Sequence, residues 1–117
     1  QIIINGNGEY SRDFTFVENV VSFINLSLFT SNTNSFGTVY NVGCGGRYTL
    51  NQLHKTIGEY LQIKIEPIYG DNRKGDIPHS CADISKAKND LGYNVVKHFE
   101  DGIRETIDWY RKMSDNK

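Results

Sequence analysis

The sequence predicts a small mixed α/β domain built from short strands and about four helices. Two observations lead to this prediction. Several segments place apolar residues three and four positions apart, which marks one face of a helix, and short apolar or alternating runs between them are typical of strands. A length of 117 residues favours one domain, which we assign to residues 1–113 with a polar tail at residues 114–117.

The N-terminal part of the chain is predicted to form a strand, a hairpin and a helix. Residues 2–4 are a short apolar strand, and residues 13–17 alternate loosely enough to pair back on it. A helix follows at residues 17–28, and its apolar stripe consists of Val17, Val20, Val21, Ile24 and Leu28. Because Phe23 and Leu26 lie partly off this stripe, we expect the helix to be covered on more than one side.

The rest of the chain alternates between predicted strands and helices. The strands lie at residues 38–42 and 64–69, and the helices at residues 50–61, 84–91 and 99–110. Thr49 and Gln52 match a capping box at the start of the first of these helices. Asp83 suits the N-terminal cap of the second, and Gly92 suits the position just after its end.

The composition excludes several function classes. A net charge of −1 gives no global field that would attract nucleic acid. Cys44 and Cys81 have neither metal-ligand nor disulfide spacing, so we expect free thiols in a reducing cytoplasm and no metal site. No run is long enough to span a membrane and no signal peptide precedes the first strand, so no membrane partner is expected. The chain begins at Gln1, not Met, which suggests a piece of a longer protein.

Three polar loops carry Gly and Arg and are candidates for binding a phosphate-bearing ligand. They lie at residues 6–14, 40–47 and 73–83. Arg binds phosphate through two parallel hydrogen bonds, and Gly lets the backbone come close to a ligand. Residues 43–46 are compatible with two interpretations, a plain strand-to-helix turn and a phosphate cradle. The pair Gly6 and Gly8 is not a dinucleotide fingerprint, because Ser11 takes the place of the third Gly and no helix opens there.

Catalytic signatures are weak in this chain. Tyr60-x-x-x-Lys64 and Tyr93-x-x-x-Lys97 have the spacing of a dehydrogenase Tyr–Lys pair, but neither pair is predicted to lie on one helix. Both are interpreted as chance matches. His79 lies in the third loop, where a contact with a ligand and a structural role are both open.

The motifs, in their order, resemble the C-terminal half of the NAD-dependent nucleotide-sugar epimerase/dehydratase family, the extended short-chain dehydrogenases. The resemblance lies in Gly6-Asn7-Gly8, Arg12-Asp13-Phe14, Tyr40-Asn41-Val42-Gly43, Arg73-x-Gly75-Asp76, Ala82-Asp83-Ile84-Ser85-Lys86-Ala87 and Leu91-Gly92-Tyr93. Residues 73–80 and 45–53 are most similar to the UDP-N-acetylglucosamine 4-epimerases. One departure is Glu18-Asn19, where many members have an Asp.

The resemblance implies the substrate-binding lobe of an enzyme, without its Rossmann half. In the family, NAD takes a hydride from sugar C4 and later returns it to the other face, while the sugar turns about its diphosphate linkage. NAD and the catalytic residues belong to the absent N-terminal domain. The chain itself is therefore expected to hold no cofactor and no catalytic residue, and to be inactive alone.

Five substrate-binding residues follow from the resemblance. Arg12 and Arg73 are assigned to the diphosphate, Asp76 to the ribose hydroxyls and Asn41 to the nucleotide. Ser80 is assigned to the C2 substituent of the sugar, because family members with Tyr at this position tend to accept only unsubstituted sugars. A small residue leaves room for an acetamido group, which favours UDP-N-acetylglucosamine and UDP-N-acetylgalactosamine as substrates. For Ser80, a plain turn residue is the alternative.

Alternatives to the epimerase remain open at the level of sequence. A nucleotide-sugar dehydratase, another epimerase of the same family and a non-catalytic module that binds sugar nucleotides are all compatible with these residues. The expected partners are a UDP-sugar and the missing Rossmann domain. We also expect self-association of this chain through the apolar helix at residues 17–28.

Overall fold

The computed structural model describes residues 1–115 and confirms the mixed α/β class. Its strands are β1 (Ile3–Asn5), β2 (Ser11–Arg12), β3 (Tyr48–Thr49) and β4 (Ile68–Gly70). Its helices are α1 (Val17–Phe29), α2 (Leu50–Leu61), α3 (Ser85–Leu91) and α4 (Phe99–Asp115), with a 3-10 turn at Thr33–Ser35. Because α4 extends to Asp115 and residues 116–117 lie outside the described residues, the polar tail stays a prediction.

The strands pair with partners far away in the sequence. β1 pairs in parallel with β4, so that Ile4 lies opposite Tyr69, and β2 pairs antiparallel with β3, so that Arg12 lies opposite Tyr48. The predicted hairpin of residues 2–4 with 13–17 is wrong: residues 13–16 form no strand, α1 begins at Val17, and β1 pairs with β4 instead. The turn after β1 extends this ladder, since the Gly6 amide donates to the Gly70 carbonyl at 3.0 Å.

Residues 38–42, a predicted strand, pair with no strand in the described part of the chain. A strand needs a hydrogen-bonded neighbour, and no described segment provides one here. The side chain of Val39 is 88% exposed. The strand predicted at residues 64–69 is present only as β4, which starts at Ile68.

The core lies where α3 and the segment after it meet α1. Ile84, Ala87 and Tyr93 are buried, and the surrounding residues are Phe23, Leu26, Tyr40, Val42, Ala82 and Val95. The two α1 residues that lie off the predicted stripe are therefore the ones that contact the core. The stripe itself is exposed: Val17, Val20, Val21, Ile24 and Leu28 are 37–70% accessible.

The capping box of α2 and the glycine after α3 agree with the sequence, whereas the N-terminal cap predicted at Asp83 is wrong: the cap position of α3 is Ile84, which makes no capping hydrogen bond with its side chain. The Thr49 side chain accepts from the Gln52 amide at 3.1 Å, and the Gln52 side chain accepts from the Thr49 amide at 2.7 Å, so the capping box is present. Gly92 ends α3 with a φ of 68°, a conformation that favours glycine. Asp83 accepts from the Ser85 amide, and this hydrogen bond lowers the pKa of its carboxyl group.

Candidate functional site

Strand β2 contains Arg12 and is hydrogen-bonded to the loop that contains Ser80. The Ser11 amide donates to the Pro78 carbonyl at 2.9 Å, and the Ser80 amide donates to the Ser11 carbonyl at 3.1 Å. Arg12 donates from Nη1 to the carbonyls of Ser11, at 2.8 Å, and Pro78, at 3.4 Å. Arg12 and Ser80 therefore lie on neighbouring segments of backbone.

Asn41 and Ser80 line one shallow depression of about 320 Å³ beside this junction. Asp13 and Asp83 also line it, and the Asn41 side chain donates to the Asp83 carbonyl at 3.4 Å. A larger groove of about 740 Å³ lies along α1, but none of the five candidate residues lines it. Two of the five candidate residues, Asn41 and Ser80, therefore share the polar depression, and none lies in the larger groove.

Arg73 and Asp76 lie on an exposed turn. The Asp76 amide donates to the Arg73 carbonyl at 3.2 Å, and Gly75 between them has a φ of 88°. Within residues 1–115, neither side chain makes a hydrogen bond or an ion pair with another residue. The structure thus places Asn41 and Ser80 on one depression and Arg12 on the strand next to Ser80, and the roles assigned to all five residues stay predictions.

Asp13 organises the centre of the site, and the sequence reasoning gave it no role. Its Oδ1 accepts from the Cys44 amide at 3.0 Å, and its Oδ2 accepts from the amides of Gly45, at 3.0 Å, and Ala82, at 3.2 Å. A Cβ atom at Gly43 would lie 2.7 Å from Oδ2, so the close approach requires glycine. The only signal in the sequence was its place between Arg12 and Phe14 in a family motif.

These contacts favour the plain-turn interpretation of the second loop. The amides of Cys44 and Gly45 would be the donors of a phosphate cradle, but both already bind the Asp13 carboxylate. Burial, together with the charge of Asp13, raises the pKa of the Cys44 thiol. This thiol is therefore held in its neutral and unreactive form.

Neither Tyr–Lys pair has catalytic geometry. The Tyr93 hydroxyl is buried and donates to the Gly43 carbonyl at 2.8 Å, and burial raises its pKa. The Tyr60 hydroxyl donates to Asp108, and this hydrogen bond raises its pKa as well. A tyrosine that acts as a base needs a lowered pKa, so both hydroxyl groups serve the structure.

The match to a family model covers nearly the whole chain. Residues 1–106 match the model described as GDP-mannose 4,6 dehydratase. The chain belongs to this family. Among curated relatives, a UDP-glucose 4-epimerase from Mycolicibacterium smegmatis is 30% identical over 112 residues, which are 95% of this chain and 34% of the relative. The chain therefore spans about a third of that relative's length.

Several solved structures share the fold of this chain. UDP-glucose 4-epimerase from Thermotoga maritima, bound to UDP-glucose, is 35% identical with a TM-score of 0.88, over 97% of this chain and 35% of its own. UDP-N-acetylglucosamine 4-epimerase from Methanobrevibacter ruminantium M1, bound to UDP-N-acetylmuramic acid, is 34% identical with a TM-score of 0.86, over the same shares. Another similar structure, 28% identical, holds UDP-glucuronic acid and NAD. Members thus act on or bind UDP-sugars that differ in the sugar.

Asn19 joins α1 to the segment before α4 inside the protein. Its side chain is fully buried, accepts from the amides of Val96 and Lys97 at 2.9 and 3.0 Å, and donates to the Lys97 carbonyl at 2.7 Å. An ionised Asp could accept both bonds but could not donate the third. The amide side chain therefore suits this position.

The described residues do not fit a dinucleotide. Cβ atoms at Gly6 and Gly8 would collide with the side chains of Asn72 and Asn51, so this turn is filled by the protein itself, and a strand follows it. Within residues 1–115, no cluster of three metal-ligating side chains is found. In the same part of the chain, no helix has the length and apolar character needed to cross a membrane.

Proposed function

We propose that this chain is the UDP-binding part of an NAD-dependent UDP-sugar 4-epimerase that acts on UDP-N-acetylglucosamine and UDP-N-acetylgalactosamine. The observation behind the proposal is the junction of β2 with residues 78–80, in which the backbone of Ser11 binds the Ser80 amide and the neighbouring Arg12 guanidinium donates to the Pro78 carbonyl. A cation that binds the diphosphate and a small residue beside the sugar would then contact adjacent parts of one ligand. UDP-sugar 4-epimerases among the relatives support this assignment.

The proposed division of labour follows from the demands of epimerisation. The nucleotide must stay anchored while the sugar presents first one face and then the other. Binding energy from two guanidinium groups on the diphosphate is kept during that rotation. Arg12 is one such group. Arg73 is the other, and its exposed turn leaves the guanidinium without a partner within residues 1–115.

The remaining candidates contact the two ends of the ligand. The Asp76 carboxylate would accept hydrogen bonds from both ribose hydroxyls, and Asn41 would donate to the nucleotide. Ser80 would leave room for the acetamido group and offer it a hydrogen bond. The relatives act on different sugars. We assign the proposed preference for N-acetylated sugars to Ser80.

The redox chemistry lies outside this chain. NAD would be held by a separate domain, which corresponds to the part of the relatives outside the match. We therefore expect no turnover by residues 1–117 alone. The exposed apolar stripe of α1 would pack against that part of the protein. The two free cysteines fit a cytoplasmic enzyme.

A dehydratase is the second candidate, because the matching family model is described as GDP-mannose 4,6 dehydratase. Both reactions begin at sugar C4 and both need an anchored nucleotide, so the described residues serve either. The product separates them: an epimerase returns an isomer of its substrate, whereas a dehydratase releases water and a keto sugar. Analysis of the product formed by an active protein that contains this chain decides between them.

Titration of the chain with UDP tests the proposal. We expect weak binding by calorimetry, because only part of the pocket is present. Arg12→Ala and Arg73→Ala should each cost about 1.5–3 kcal/mol of binding free energy, the scale of a charge-assisted hydrogen bond. Arg104→Ala, on the exposed face of α4, is the matched control and should bind like the unaltered chain. Equal affinity of Arg73→Ala and the unaltered chain would show that Arg73 is misassigned.

A further inference from the structure

A hydrogen bond between two side chains accompanies the junction of β2 with the Ser80 loop. The Ser11 hydroxyl lies 2.9 Å from Nδ1 of His79, although the two residues are 68 positions apart. Ser11 is only 4% exposed, whereas His79 lies at the surface. Their backbones form a single isolated parallel bridge, which is supported by only two backbone hydrogen bonds.

A single bridge specifies its register weakly, and register decides which way side chains point. Neighbouring residues along a strand face opposite sides, so Ser11 and His79 share one side and Arg12 and Ser80 follow on the other. A slip by one residue would turn Ser80 away from the depression that it lines with Asn41. The bond between the side chains resists this slip, because it pairs Ser11 with His79 and with no neighbouring residue.

We propose that Ser11 and His79 are positioning residues that hold the Arg12 guanidinium and Ser80 in one fixed relation. This inference rests on the proposed function, in which these two residues contact the diphosphate and the sugar. Neither Ser11 nor His79 touches the ligand in this proposal. Loss of their hydrogen bond should weaken binding of the whole UDP-sugar, because the two contacts would no longer fit one ligand at once.

Variants of His79 separate the hydrogen bond from the bulk of the ring. Asparagine places an amide group near the position of Nδ1, so His79→Asn can keep the bond to Ser11. Leucine has similar bulk but no polar atom, so His79→Leu removes it. Because His79 is exposed, neither substitution disturbs the core. Ser11→Ala removes the other partner of the same bond. The double variant Ser11→Ala with His79→Leu completes a double-mutant cycle, which measures the coupling between the two side chains.

The experiment measures two quantities on the 117-residue chain. Hydrogen exchange of the Ser80 amide reports on the bridge, and NMR titration with UDP-N-acetylglucosamine reports on binding. We expect His79→Leu and Ser11→Ala to speed exchange and to weaken binding roughly 2- to 13-fold, the effect of one lost hydrogen bond. His79→Asn should behave like the unaltered chain, and the double variant should be no weaker than either single one.

Two results would overturn the inference. One is unchanged exchange of the Ser80 amide in His79→Leu, since the bond would then not hold the bridge. The other is faster exchange with unchanged affinity, which would make the pair merely structural. Failure of the unaltered chain to bind UDP would instead contradict the proposed function, and the exchange rates of the variants would still decide whether the pair sets the register.

Discussion

The Asp13 carboxylate accepts hydrogen bonds from three backbone amides, which lie in two loops that are distant in sequence. We expect it to contribute strongly to stability. Asp13→Ala would leave these amides without their acceptor and should lower the free energy of unfolding by about 2–3 kcal/mol. Asp71→Ala is the control, because Asp71 is exposed and makes no hydrogen bond or ion pair within residues 1–115. Chemical denaturation measures both. Equal midpoints for the two variants would contradict a central role for Asp13.

Ser80 is expected to determine which sugars are accepted. In an active enzyme that contains this chain, Ser80→Tyr should abolish activity on UDP-N-acetylglucosamine and spare UDP-glucose, because the phenol ring would fill the space of the acetamido group. Ser80→Ala keeps the side chain small and should retain both activities. Rates on the two substrates, measured side by side, provide the check. If both are lost equally, or neither changes, Ser80 does not select the sugar.

Some site residues could be found from sequence and others could not, for a physical reason. Arg12, Asn41 and Ser80 stand in motifs that can be read locally, and the structure places Asn41 and Ser80 on one depression and Arg12 on the strand beside Ser80. Asp13 and Asn19 bind backbone groups 31 or more positions away, and no local pattern shows which amides they bind. The sequence also did not indicate that His79 contacts Ser11, because this contact depends on the bridge to β2.

At the scale of elements, Asp90 links helix α3 to the segment at Tyr40. Its carboxylate accepts from Lys86 at 2.8 Å and from the Tyr40 hydroxyl at 2.9 Å, and the Lys86 bond, followed by the Tyr40 bond, lowers its pKa. This stabilisation is complete above the ordinary aspartate pKa of about 3.9 and is lost as the pH falls through the lower folded value.

Asp90→Asn should therefore weaken the dependence of stability on pH in acid. As the pH drops below about 4, the melting temperature of the unaltered chain should decrease. The variant should show a smaller decrease. Some decrease should remain, because the pKa of Asp83 is lowered as well. Asp71→Asn, at an exposed carboxylate without these partners, is the control variant. Thermal melts from pH 2.5 to 7 would measure the three curves, and parallel curves would contradict the link.

The helices were easier to predict than the strands. The capping box of α2 and the glycine after α3 depend on residues within one turn, so the sequence contains the whole interaction. Strand pairing depends on which segment lies alongside. Residues 38–42 have the composition of a strand but no described partner, and β1 pairs with β4 instead of with a hairpin neighbour.

At the scale of the whole molecule, the described chain is thin and leaves apolar surface uncovered. Its radius of gyration is 17.2 Å, and its extents are 51 × 38 × 21 Å. A compact domain of this length would have a radius of gyration of about 13 Å. Alongside the α1 stripe, Phe29 is 85% exposed and Val96 is 53% exposed. This surface needs a partner, whether another part of a longer protein or a second copy.

We therefore expect the chain to self-associate when it is alone. Light scattering should show a mass that rises with concentration, and Ile24→Lys, in the middle of the α1 stripe, should shift it toward the monomer. Ile63→Lys is the matched control: Ile63 is 47% exposed, close to the 49% of Ile24, but lies away from α1. A clean monomer at high concentration, with no binding of a dye for apolar surface, would count against this expectation.

The parallel pairing of β1 with β4 also has a consequence for synthesis on the ribosome. The partner of β1 is made 65 residues after β1 itself, since Ile3 pairs with Ile68. At typical elongation rates this delay is about 3–13 s. During that interval the apolar residues Ile2, Ile3 and Ile4 have no strand beside them. The nascent chain therefore presents a short apolar segment that a ribosome-associated chaperone could bind until residues 68–70 emerge.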